Sequence, residues 1–278
     1  MQPELVKTTG AQTVELRLRD LLLNALTVSS GAVDAISFLA LGKVFTAFMT
    51  GNIAFLGLRV SGAATAPGAV AILTSMATFA AGVYVSTRIV KSSEWIGVWP
   101  ARVTVALGVS LIPHAVFQAV WLACGGQPSI EVGHILLGLW GLAMGMQSAA
   151  VRRLHVEGVF TTAATATIIF LAGDLTNWSG TAAERRRLAG VLISLLVGAT
   201  AGGLLLVHAH IYAPVLPFVV TAAAVATAAI ALRERRTHDG LQVSGAGART
   251  RQPGDDAAVA ADCAQPAAER TRRHERRR

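Results

Sequence analysis

Gly31-Ala32-Val33-Asp34-Ala35-Ile36-Ser37-Phe38-Leu39-Ala40-Leu41-Gly42-Lys43-Val44-Phe45-Thr46-Ala47-Phe48-Met49-Thr50-Gly51-Asn52 is the stretch on which the reading of this chain turns. It runs from a glycine, through one acidic residue on an apolar helix, to a break at Gly42-Lys43. A Val-Phe pair and a Thr-Gly-Asn element follow. Roughly 115 residues on, a similar order returns from Gly145 through Gln147-Ser148 to Arg152-Arg153, then Val159-Phe160, Thr162, Thr165 and Thr167. Ala166 stands where the first copy has Gly51. An internal repeat in an apolar chain, with a polar interruption in each copy, is the pattern of many transporter and channel folds.

Composition sets the class. The 278 residues are 53% hydrophobic and 14% charged, with a mean hydropathy of +0.54. Apolar runs of about 18 residues or more read as membrane-spanning helices, and several fill residues 21 to 232. The net charge of +8 divides equally, +4 in residues 233–278 and +4 in the remainder. Basic residues beside apolar spans follow the positive-inside rule, so no nucleic-acid partner is inferred. Cys124 ends an apolar span and Cys263 lies in the tail; placed on opposite sides of a membrane, they form no disulfide. The first span has no small-residue cleavage pattern after it and reads as a retained helix.

Apolar segments cover about 20–42, 44–60, 68–90, 101–124, 132–152, 159–175, 188–209 and 212–232. If all eight cross from a cytoplasmic N-terminus, Arg88, Lys91, Arg152 and Arg153 fall outside, against the positive-inside rule. If 44–60 and 159–175 enter and leave on one side, those residues and Arg185-Arg186-Arg187 all lie inside. Only Lys43 and Arg59 then remain outside. The expected architecture is therefore an all-α polytopic membrane protein. It has about six full transmembrane helices plus two short re-entrant or broken segments, in two inverted repeats (about 20–124 and 132–232). A segment of about 17 residues is just long enough to cross, so eight transmembrane helices are the alternative. Residues 1–18 read as a cytoplasmic lead. Residues 233–278 read as a disordered basic tail, rich in Gly, Ala, Pro and charge. Both termini are expected in the cytoplasm of a bacterium, with the helices in its plasma membrane.

An acid inside a span is costly and normally faces the bundle interior or a wet cavity. Asp34 is thus a candidate proton or cation site, or else a carboxylate that caps the broken segment or is held by Ser30 and Ser37. Thr50, Gly51 and Asn52 suit an unwound stretch that offers polar groups to a solute, with Gly51 permitting a left-handed turn. The alternative for them is helix packing. Gln147, Ser148, Thr162 and Thr165 occupy the matching places in the second copy. Threonines there either line the path or bond back to their own helix. His114 and Gln118 share a helix face and read as a proton relay or as packing residues. Gly141/Gly145 and Gly198/Gly202 are small-xxx-small pairs for close helix contact. No metal-ligand spacing, cofactor motif or catalytic constellation is present, so no metal, no cofactor and no enzymatic activity are expected.

The Gly31-x-x-Asp34-Ala-Ile-Ser-Phe38 element, Phe45, and Met49-Thr50-Gly51-Asn52 resemble the YoaK family of bacterial inner-membrane proteins, also known as domain of unknown function 1275. Gly145 through Arg153 and the threonines after it are similar to the same family. The resemblance covers roughly residues 20–232. It implies about six transmembrane segments and brings no substrate, cofactor or active residue with it. Taken together, the sequence points to a small-solute transporter or channel, in contact with the lipid bilayer and with an unknown small solute or ion. A homo-oligomer is compatible with the glycine pairs. The alternative is a membrane scaffold or accessory subunit that transports nothing.

Overall fold

The computed structural model describes residues 10–91, 98–154, 156, 167–169, 172–173 and 182–231. Seven helices build the described bundle. They are α1 (Gly10–Ala40), α2 (Met49–Val60), α3 (Ala69–Val90), α4 (Ala101–Ala123), α5 (Ile130–Arg152), α6 (Ala182–His208) and α7 (His210–Ala231). The last opens with a turn of 3-10 helix at His210–Tyr212. All but α2 are long and apolar enough to cross a membrane. α2 has 12 residues and rises only about 18 Å, short of a bilayer core of about 30 Å.

Local chemistry sets the boundaries. α1 stops because Gly42 (φ 109°) and Lys43 (φ 60°) turn into the left-handed region, a common helix ending. Pro100 opens α4, where its missing N–H costs no bond. The Ser129 hydroxyl accepts from the Val132 amide and caps α5.

Two apolar clusters reveal which way each helix runs. The first gathers Leu22, Leu23 and Leu26 from α1, Val90 from α3, and Val103, Ala106 and Leu107 from α4. Ala150 and Val151 of α5, Leu188 and Val191 of α6, and Ala224 and Ala228 of α7 complete it. The second takes the other end of each helix: Val33 and Ile36, Ala71 and Ile72, Phe117 and Trp121, Leu136 and Leu137, Leu206, and Ala213. Phe117 and Trp140 stack there with ring centroids 3.6 Å apart. Hence α1, α4 and α6 run from the first cluster to the second, and α3, α5 and α7 run back.

That direction settles the count of spans. α1 ends at the second cluster and α3 begins there, so the chain through α2 leaves and returns on one end. α5 ends at the first cluster and α6 begins there as well. Six of the described helices cross the bundle; α2 does not, against the eight-span alternative, and most of 159–175 lies outside the described residues. The first short segment also differs from its expected extent. Residues 41–48 are irregular, and the helix starts only at Met49.

Glycines bring the helices into backbone contact. A side chain at Gly82 of α3 would collide with the Leu142 carbonyl of α5, and one at Gly145 with the Phe79 carbonyl of α3. Gly31 of α1 is blocked in the same way by the Leu195 carbonyl of α6, and Gly198 by that of Val28. Gly141 and Gly202 extend these two contacts. Both paired glycine motifs are therefore used within the chain, α5 against α3 and α6 against α1.

Candidate functional site

Irregular backbone at membrane depth must find partners for its N–H and C=O groups. Here three side chains from three helices supply them. Asp34 Oδ1 on α1 accepts from the Thr46 amide at 2.8 Å, the Ala47 amide at 2.8 Å and the Thr46 hydroxyl at 3.3 Å. Asn52 on α2 accepts from the Phe45 amide through Oδ1 at 3.0 Å and donates to the Phe45 carbonyl through Nδ2 at 2.6 Å. Ser75 on α3 donates to that same carbonyl at 2.5 Å. Phe48, the residue before α2, has no side-chain cap of its own. The Asp34 carboxylate stands in front of that helix start, where the helix dipole favours negative charge.

An aromatic cluster fixes the rest of the break. The Phe45 ring stacks on Phe38 and Phe55 at 5.1 and 5.8 Å between centroids and meets Phe48 edge-on at 5.4 Å. Gly51 is a packing requirement in this setting: a β-carbon there would lie 2.7 Å from the Phe48 ring.

A second polar group lies at mid-depth, between the two apolar clusters. Thr27, Ser29 and Ser30 of α1 are all fully buried. The Ser29 and Thr221 hydroxyls share a hydrogen bond of 2.8 Å, and Ser29 also donates to the Pro217 carbonyl. Gln147 Nε2 of α5 donates to the Leu26 carbonyl at 3.1 Å. Ser110 bonds back to Leu107, and His114 is 2% exposed. Gln147 Oε1, Ser30 Oγ and His114 Nε2 are buried with no protein partner. Most buried polar atoms are paired; these three, from three helices, are left without a protein partner.

The candidate residues of the sequence divide between these places. Asp34, Gly51 and Asn52 meet at the break, where Asp34 is half-buried and Asn52 buried. Thr50 is exposed in the first turn of α2. The expected unwound stretch at Thr50-Gly51-Asn52 is helical instead. The left-handed turn falls at Gly42-Lys43, because Phe45 and Phe48 already fill the space around Gly51. Ser37 bonds to the Asp34 main-chain oxygen rather than to its carboxylate, and Ser30 does not reach it. Gln147 contacts α1 at Leu26, eight residues or about 12 Å of helix rise from Asp34. Ser148 bonds to its own helix at the Met144 carbonyl. His114 belongs to the mid-depth layer, and Gln118, one turn on, has both amide atoms buried without partners. Thr162 and Thr165 lie outside the described residues. Ser75, Ser29 and Thr221 were not singled out by sequence, since a lone serine or threonine in an apolar helix carries no signal of its own.

The family model described as "Protein of unknown function (DUF1275)" matches residues 22–228, a range that takes in both polar groups and runs from within α1 to within α7. The chain belongs to this family. A DUF1275 relative, the UPF0700 transmembrane protein YoaK of Bacillus subtilis (strain 168), is 35% identical over 159 residues. That alignment covers 57% of this chain and 68% of the relative. No solved structure matches this DUF1275 protein. Family and helices together make it a multi-pass membrane protein in contact with lipid.

Proposed function

We propose that the protein moves a small solute or ion across the bacterial plasma membrane, as a transporter or channel. The path crosses the mid-depth polar layer and passes Asp34 at the break. The observation that carries this is the set of unpartnered buried atoms, Ser30 Oγ, Gln147 Oε1 and His114 Nε2, between two apolar clusters. A half-buried carboxylate stands one step along the same helix. The arrangement of halves supports it further. α1, α3 and α4 start at the first, second and first cluster in turn, and α5, α6 and α7 at the second, first and second. The glycine contact of α1 with α6 has its counterpart in that of α5 with α3, as an inverted repeat requires. The basic residues at the first-cluster end support a cytoplasmic side there under the positive-inside rule. The reading gives the chain no catalytic chemistry and no cofactor.

The test is flux. Purified protein in liposomes loaded with a pH-sensitive dye is challenged with a proton gradient and a panel of small cations and neutral solutes. Protein-dependent flux that Asp34→Asn abolishes, in a variant that stays folded, fits the proposal. Flux that survives unchanged in Asp34→Asn removes Asp34 from the path.

A non-transporting scaffold is the second reading, and one observation favours it. Asn52 spends its polar atoms on Phe45 and Ser75, and Asp34 Oδ1 is held by Thr46 and Ala47. On that reading Asp34→Asn and Gln147→Leu change thermal stability and no solute on the panel moves.

A further inference from the structure

Past their glycine contact, α3 and α5 leave an open cavity of about 310 Å³ at the first-cluster end of the bundle. It is lined by Thr87, Val90 and Lys91 of α3 and by Ala149, Arg152 and Arg153. Lys91 follows α3 directly and Arg153 follows α5. All three cations are exposed. None of them pairs with an acid among the described residues. Two guanidinium groups, an ammonium group and a hydroxyl around one cavity are donors without acceptors. Guanidinium forks fit phosphate oxygens two at a time.

The setting indicates where the phosphate comes from. This end holds the basic helix termini that the positive-inside rule assigns to the cytoplasm, and the leaflet there is rich in anionic lipid. Basic pockets between membrane helices on that side take phospholipid headgroups. Tyr84, 60% exposed one turn before Thr87, offers an apolar ring at headgroup depth. The Arg88 guanidinium lies over that ring at 5.2 Å. We propose that this cavity binds the phosphate of an anionic phospholipid between α3 and α5, with Lys91, Arg152 and Arg153 as its ligands. The site is independent of the transport reading, because it lies at the end of the bundle and uses none of the path residues.

The test uses the full chain in nanodiscs of phosphatidylcholine, with or without phosphatidylglycerol, and counts lipid retained in native mass spectrometry. Arg59→Gln, which removes an exposed cation at the opposite end, is the control. Retention of phosphatidylglycerol over phosphatidylcholine is expected in the parent and in Arg59→Gln. It should fall about tenfold or more in Lys91→Gln/Arg152→Gln/Arg153→Gln. The single variants Arg152→Gln and Arg153→Gln should each show a partial loss, which keeps the test decisive if the triple variant misfolds. Equal retention in parent and single variants, or no preference for phosphatidylglycerol, overturns the proposal. Displacement of the lipid by millimolar inorganic phosphate would make a free anion the occupant and overturn the lipid assignment. Glu94 and Glu157 follow these cations closely in sequence. If Glu94→Gln/Glu157→Gln creates a preference that the parent lacks, the chain's own carboxylates fill the cavity and the proposal fails.

Discussion

Asn52 holds the main chain of Phe45 by both of its polar groups, accepting from the amide at 3.0 Å and donating to the carbonyl at 2.6 Å. One side chain thus replaces the neighbouring strand or helix turn that this irregular stretch lacks. Removing it leaves the Phe45 amide unpaired beside an apolar cluster. Asn52→Ala should therefore destabilise the detergent-purified protein by ~2–4 kcal/mol, read as a fall in thermal midpoint. Ser75→Ala should cost only about 1 kcal/mol, because Asn52 still serves the carbonyl. Equal losses for the two would mean that the break is held by its aromatic rings and not by these bonds.

Asp34 combines a hydrogen-bonding duty with a charge, and two substitutions separate them. Asp34→Asn keeps an oxygen for the Thr46 and Ala47 amides, so its thermal midpoint should stay near the parent. Asp34→Ala loses all three bonds and should cost ~2–4 kcal/mol. If flux depends on the charge, both variants are inactive while only the second is unstable. Two equally unstable variants would assign Asp34 to the structure alone.

The sequence carried the crossing helices because each is a long apolar run bounded by Pro, Gly or a basic cluster. The return of the chain at 41–68 was readable from charge placement at Arg88, Lys91 and Arg152. The position of the unwound stretch was not. Thr50-Gly51-Asn52 has the composition of a loop, yet Asn52 faces back onto Phe45 from the first turn of a helix. Only the fold brings those two together. The mid-depth layer was half visible. Gln147 and His114 stand out as polar residues in apolar helices, whereas Ser29 and Thr221, 192 positions apart, meet only in space. The glycine motifs announced close packing, but their partners, Gly82 and Gly31, lie outside any small-xxx-small pair that was singled out.

The two glycine contacts make a graded prediction. Gly82→Ala and Gly145→Ala drive a methyl into the backbone of the facing helix, as do Gly31→Ala and Gly198→Ala. Each should cost ~1–3 kcal/mol or more, because neither backbone can move aside without parting the helices. Gly57 and Gly133 are helical glycines with open space around them. Alanine there should be neutral or stabilising by up to ~1 kcal/mol. A uniform response across all six positions, in thermal midpoints, would show that helix propensity and not close approach governs these sites.

Topology gives the sharpest test of the fold itself. With Cys124 and Cys263 replaced, single cysteines at Val14, Arg153 and Ala183 belong to the first-cluster end, and those at Thr65 and Gln127 to the other. An impermeant thiol reagent should label the first three from one side of oriented vesicles and the last two from the opposite side. Two of these positions decide between architectures. If residues 159–175 cross, Ala183→Cys changes sides relative to Arg153→Cys. If α2 crosses, Thr65→Cys joins Val14→Cys. Both outcomes conflict with the clusters: in the first, Leu188 and Val191 at the start of α6 could not pack with Ala150 and Val151, and in the second, α3 would begin where α1 begins and Ile72 could not pack with Val33 and Trp121. Labelling as expected would fix the two short segments as returns on opposite sides, the geometry that a two-sided path through the Gln147 layer needs.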